Sequence, residues 1–181
     1  MAKTYNIDMT SGPILPKLLK LTLPLMLSSI LQLLFNAADI IVVGNFASEN
    51  SLAAVGSTSS LVNLMTNLFL GLSTGANVLT SRYMGSGNNE KVSKTVHTSI
   101  FLAMLSGFIL TVVGIIFADK LLLLMKNPPE VLDLSTLYLR IYFVGMIAMM
   151  IYNFGSSILR SKGDTKRPLY FLAFSGVVNV V

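Results

Sequence analysis

Long apolar runs alternate with short polar gaps along the chain, and the spacing of the two predicts an all-α membrane protein. Residues 17–43 form the first run, entered through Pro13 and Pro16 and carrying Pro24 a turn or so inside, where a proline bends a helix. The gap GNFASEN leads into residues 52–81, which carry no charge before Arg82, and RYMGSGNNEKVSK closes that run. A third span is predicted at 96–118, followed by KNPPEVLD, whose paired prolines end the helix. A fourth, 134–159, ends in RSKGDTKRP. The apolar pattern resumes at residue 169 and continues to Val181, about 13 residues or roughly 20 Å of helix, against the ~30 Å of a hydrocarbon core. The expectation is therefore a polytopic transmembrane helix bundle with four full spans and a fifth cut short at 169–181.

A secretory leader is the rival reading of the first run. Its apolar region would be about 7–15 residues long and followed by a small-residue cleavage site. The run after Lys20 continues without such a break into FNAADIIVVG, so it reads as a retained helix.

Composition agrees. The chain is 53% hydrophobic and 12% charged, with a mean hydropathy of +0.72, whereas soluble domains carry charge on about a quarter of positions. There is no cysteine, which removes disulfides and thiolate metal sites from consideration. The net charge of +5 does not point to nucleic acid, because the basic residues sit in the gaps between apolar runs. Lys3, Lys17, Lys20, Arg82, Lys91, Lys94, Arg160, Lys162, Lys166 and Arg167 fall in the N-terminal segment and alternate gaps; Lys120, Lys126 and Arg140 belong to the others. Basic loops stay in the cytoplasm, so residues 1–16 are expected to be a cytoplasmic N-terminal segment of a protein in the cell membrane.

Within this apolar background a few polar residues need a reason. Asp39 is the sole charge between Lys20 and Glu49. It lies about 28 Å along a straight helix from Lys20, in the outer part of the span, where a carboxylate can serve simply as an interfacial anchor. Gln32, Asn36 and Asp39 nevertheless recur at i, i+4 and i+7, which puts all three on one helical face and suggests a water-filled cavity. In the second span Asn63, Asn67, Thr74 and Asn77 form a comparable stripe. Membrane amides also bond neighbouring helices at about 1 kcal/mol per contact, so ligand contact and helix contact both remain open for them. Tyr138, Tyr142, Gly145, Met149 and Tyr152 share a face of the fourth span. Tyrosines at a membrane boundary are belt residues, as Tyr138 would be, whereas a deeper ring such as Tyr142 can either pack or receive an organic cation.

Enzyme signatures do not assemble. GSGNNEK lacks the spacing and terminal Lys-Ser/Thr of a phosphate loop. His97 is the single histidine and no nucleophile–base pair stands out, so neither catalysis nor a cofactor is expected.

Five stretches taken together, FNAADIIVVG, GLSTGANVLTSRYMGSGN, YLRIYFVG, LRSKGDTKRP and GVVNVV, resemble the multidrug and toxic compound extrusion family of secondary transporters. The resemblance implies part of the N-terminal six-helix lobe of a twelve-helix transporter that exports organic cations in exchange for Na+ or H+. It places Asp39 in the family's N-x-x-D pattern as a cation-coupling residue, with a Na+ site there if sodium is the ion. Asn179 in GVVNVV matches an asparagine that approaches the same site. Gln32 and Tyr138 match lining positions, and Asn36, Asn63, Asn67 and Tyr142 are further lining candidates from their faces. The expected partners are a small organic cation, the lipid bilayer and the C-terminal remainder of the same transporter. Rival readings are a lipid-linked saccharide flippase of the same superfamily, which would want a more basic cavity than Arg140 alone supplies, and a non-transporting membrane scaffold or receptor.

Overall fold

The computed structural model describes Ile7 and residues 11–180; the rest of the expected N-terminal segment, including Lys3, and Val181 lie outside the described residues. All regular structure among the described residues is helical: α1 (Ile14–Phe46), α2 (Glu49–Gly85), α3 (Asn89–Leu124), α4 (Pro129–Val144), α5 (Met146–Ser161) and α6 (Lys166–Val180). Every helix that follows an apolar run extends beyond it, because the membrane core sets only the greasy middle and the helical backbone continues into the polar flanks. By length and composition α1 and α3 qualify as membrane spans, and α4 with α5 qualifies as one bent span. The Ser, Thr, Asn and Gly content of α2 keeps its hydropathy low, and α6 has 15 described residues.

The fourth span departs from the single straight helix expected over 134–159. It breaks at Gly145, and the two arms are inclined by 48°. The face predicted to hold Tyr138, Tyr142, Met149 and Tyr152 is therefore not continuous: the tyrosines of α4 and Tyr152 of α5 stand on differently directed axes. Periodicity carries no information about a break that is stabilised from another helix.

Sequence chemistry explains the turns. After α2, Gly87 adopts φ +70°, its neighbour Asn88 donates its amide to the Tyr83 carbonyl (3.0 Å), and the Asn88 side chain accepts from the Lys91 amide (3.0 Å) to start α3. The loop after α5 repeats the design. Gly163 has φ +77°, the Asp164 amide bonds the Leu159 carbonyl (3.0 Å), and the Asp164 carboxylate accepts from the Arg167 amide (3.1 Å) at the start of α6. Asp164 is fully buried and pairs with the Arg167 guanidinium at 3.1 Å.

The helices contribute to two compact units, 1–39 with 74–98 and 155–181, and 40–73 with 99–154. In the first unit Pro24 is buried inside a continuous α1, and the Ser28 hydroxyl donates to its carbonyl (2.8 Å). The Asn77 amide donates to the Ser157 carbonyl (2.8 Å), joining α2 to α5. Phe35 of α1 lies directly against Gly176 of α6, so close that a Cβ at 176 would overlap its ring. In the second unit Leu110, Ala118, Leu122, Leu139, Phe143, Met146 and Met150 form the core between α3 and the bent pair. There the fully buried Ser135 hydroxyl meets the Asn127 amide (3.0 Å) and the Ser57 hydroxyl (3.3 Å).

Candidate functional site

The residues marked by the sequence fall into the two units as two groups. Gln32, Asn36 and Asp39 of α1 and Asn179 of α6 belong to the first. Asn63 and Asn67 of α2 and Tyr138 and Tyr142 of α4 belong to the second.

In the first group the Gly176–Phe35 contact sets the geometry. Asp39 lies four residues beyond Phe35 and Asn179 three beyond Gly176, about 6 and about 4.5 Å further along the two axes. The carboxylate and the amide are thus each about one turn from the residue at which α1 and α6 meet. Only glycine permits that approach, because the Phe35 ring occupies the position of any larger side chain.

Asp39, Asn36, Gln32 and Asn179 are exposed, and none has a side-chain hydrogen bond or ion pair among the described residues. The same holds for Asn63 and Asn67. Asn77 behaves differently. Its bond to the Ser157 carbonyl makes it a helix-to-helix contact, the alternative left open for the α2 stripe. Oxygen donors of Asp39 and Asn179 suit a hard monovalent cation, and the carboxylate alone suits a proton. Among the described residues no group of three or more His, Cys, Asp or Glu side chains gathers around a potential metal site.

In the second group Tyr138 and Tyr142 stand one turn apart with ring centroids 6.3 Å apart and planes tilted by 33°. Tyr142 also packs edge-on against Phe143 (6.5 Å), and its hydroxyl donates to the Met149 sulfur (3.7 Å), reaching across the break from α4 to α5. Tyr142 is half-buried by these contacts, whereas Tyr138 remains 36% exposed.

Comparison with known proteins decides the family. A family model for MatE matches residues 24–181. The chain belongs to the MatE family. It is 31% identical over 176 residues to the probable multidrug resistance protein YpnP of Bacillus subtilis, covering 96% of this chain and 39% of that protein. It is 34% identical over 157 residues to the probable multidrug resistance protein YoeA of the same organism, covering 87% and 34%. The crystal structure of MATE in complex with MaD3S superposes with a TM-score of 0.89 at 26% identity, over 98% of this chain and 40% of that one. The helix bundle is therefore the MatE fold, and the chain is a membrane protein. It spans between a third and two fifths of the length of the curated relatives it matches.

Sequence reasoning missed two features of the MatE bundle. Gly107, Thr111 and Gly114 lie at i, i+4 and i+7 on α3, a stripe of small residues that a scan for charge and amides passes over. The Phe35–Gly176 contact was equally silent, since neither residue is polar.

Proposed function

We propose that this MatE chain forms part of a secondary active transporter that exports drug-like organic cations by antiport with Na+ or H+ through alternating access. The observation that carries the reading is that Asp39 and Asn179 each lie about one turn from the Phe35–Gly176 contact that joins α1 to α6. A carboxylate with no hydrogen bond or ion pair among the described residues can hold a proton or, with an amide oxygen brought to it, a sodium ion, and release it again. In an apolar span, polar groups without partners are costly unless water or a ligand meets them, which favours a wetted face for Gln32, Asn36 and Asp39 over helix glue. Loading the ion would favour one packing of α1 and emptying it another. Pro24 supplies a weak point for that change, because without an amide it leaves the Lys20 carbonyl lacking its usual helical donor.

The test uses full-length protein in sealed vesicles loaded with a fluorescent organic cation. An inward Na+ or H+ gradient is expected to drive dye out against its own gradient, and dissipating that gradient should stop it. Dye movement indifferent to both ion gradients would refute antiport.

The proposed orientation places the N-terminus and the linkers around Lys91 and Lys166 in the cytoplasm of a cell whose plasma or inner membrane holds the protein. Reporter fusions at Lys91 should be active only for a cytoplasmic reporter. Labelling of that linker from outside intact cells would reverse the assignment.

A further inference from the structure

The break between α4 and α5 carries no proline, and Gly145 itself has ordinary helical dihedrals, φ −74° and ψ −8°. A methyl group there would meet only the Tyr142 carbonyl, at 3.4 Å. Neither backbone strain nor crowding at position 145 accounts for a 48° bend. The contacts made to the break from outside come from α3.

The α3 stripe is shaped to the break. Gly107 lies against the backbone of Ile147, where a Cβ would come within 2.7 Å of the Ile147 Cα. Gly114 lies under the Phe143 ring. Between them the Thr111 hydroxyl donates to the Phe143 carbonyl at 2.8 Å. In an unbroken helix that carbonyl would accept from the amide of Ile147, four residues on. A polar group entering the helical ladder from outside is a recognised cause of a sharp bend, and in a membrane it also supplies the partner that water cannot. At the break the Gly145 amide bonds the Tyr142 carbonyl (3.1 Å), a tightened turn, and the Met149 amide resumes the ladder at the Gly145 carbonyl (3.1 Å).

We propose that the Gly145 break is a hinge with two hydrogen-bonding states, and that Thr111 selects the bent one. In the bent state the Phe143 carbonyl takes a hydrogen bond from Thr111 as well as from a backbone N–H of the helix cap. In the straight state it takes the Ile147 amide instead, and the Thr111 hydroxyl turns back to the Gly107 carbonyl of its own helix, as threonines in helices commonly do. The Thr111 hydroxyl and the Phe143 carbonyl each keep a partner in both states, which keeps the states close in free energy and lets a bound ligand choose between them. The Tyr142 hydroxyl on the Met149 sulfur bridges the same joint, so a molecule resting on the tyrosines of α4 bears directly on the hinge. The link to export rests on the transporter reading above, whereas the two states do not.

The experiment compares full-length wild type, Thr111→Val, Thr111→Ser and Gly145→Ala. Cryo-electron microscopy reads the α4–α5 angle, and dye efflux per molecule of transporter is measured in parallel. Losing one interhelical hydrogen bond should shift the populations about fivefold toward the straight form in Thr111→Val. Gly145→Ala should shift them the same way through its higher helix propensity. In both variants a class with an angle below about 20° should grow, and efflux should fall by a comparable factor. Thr111→Ser keeps the hydroxyl and should stay bent and active. A 48° angle with unchanged class populations in both Thr111→Val and Gly145→Ala overturns the hinge. Straightened variants that export at the wild-type rate overturn its part in transport. Should wild type itself move no dye, the transporter reading fails and the angles still decide the hinge.

Discussion

Asp39→Asn in the full-length transporter is expected to abolish ion-driven efflux while leaving membrane insertion and thermal stability near wild type. The side chain keeps its size and one oxygen, and loses its charge and its ability to exchange a proton. Stability should be spared because Asp39 has no ion pair or hydrogen bond among the described residues that the change would break. An interfacial anchor makes the opposite prediction, since an amide at the rim of the membrane can solvate almost as well as a carboxylate. Dye accumulation in cells, normalised to transporter in the membrane, separates the two. Efflux should fall to the level of cells without the protein. Wild-type efflux from a well-expressed Asp39→Asn variant would leave Asp39 as a boundary marker. Asn179→Leu offers an independent check, because it removes the amide oxygen proposed to join Asp39 and should weaken coupling without touching the charge.

How much of this was legible in the sequence depends on which kind of physics placed each residue. Span positions follow from the length of uninterrupted apolar chain, and α1 to α3 appear where those runs lie, each longer at its ends. The stripe Gln32, Asn36, Asp39 is a property of one helix and needs only its 3.6-residue period. The loops GSGN and KGDT announce themselves because a left-handed residue followed by a capping side chain leaves a local signature. Features created between helices are different. The break at Gly145 depends on a hydroxyl 34 positions earlier, and the pattern across YLRIYFVGMIAMM reads as one span because nothing in it forbids a helix. The nearness of Asp39 and Asn179 to one helix contact depends likewise on a glycine meeting a phenylalanine 141 positions earlier. The sequence resemblance named the two polar residues but could not show what holds their helices in register.

That register is the subject of the second large expected effect. Gly176→Val should destabilise the protein by at least about 1–3 kcal/mol, the usual cost of forcing extra methyl groups into a filled contact, and should also impair transport. The ring of Phe35 occupies the space the new side chain would need, so either the ring leaves its place or α6 moves outward. Moving α6 displaces Asn179 relative to Asp39. Valine is a slightly better helix former than glycine, so propensity does not explain the loss, and Ser175→Val, on an exposed neighbouring position, should cost no more than about 0.5 kcal/mol. Phe35→Ala removes the obstructing ring, and combined with Gly176→Val it should recover part of the loss, with a coupling energy on the order of 0.5–3 kcal/mol because the two residues touch. Thermal unfolding of the purified full-length variants in detergent reads stability, and dye efflux reads register. Recovery of stability without recovery of efflux in the double variant would show that α6 has settled at a new height against α1. If Gly176→Val alone were as stable and as active as wild type, the helices would not be held at this contact, and the proposed pairing of Asp39 with Asn179 would lose its structural basis.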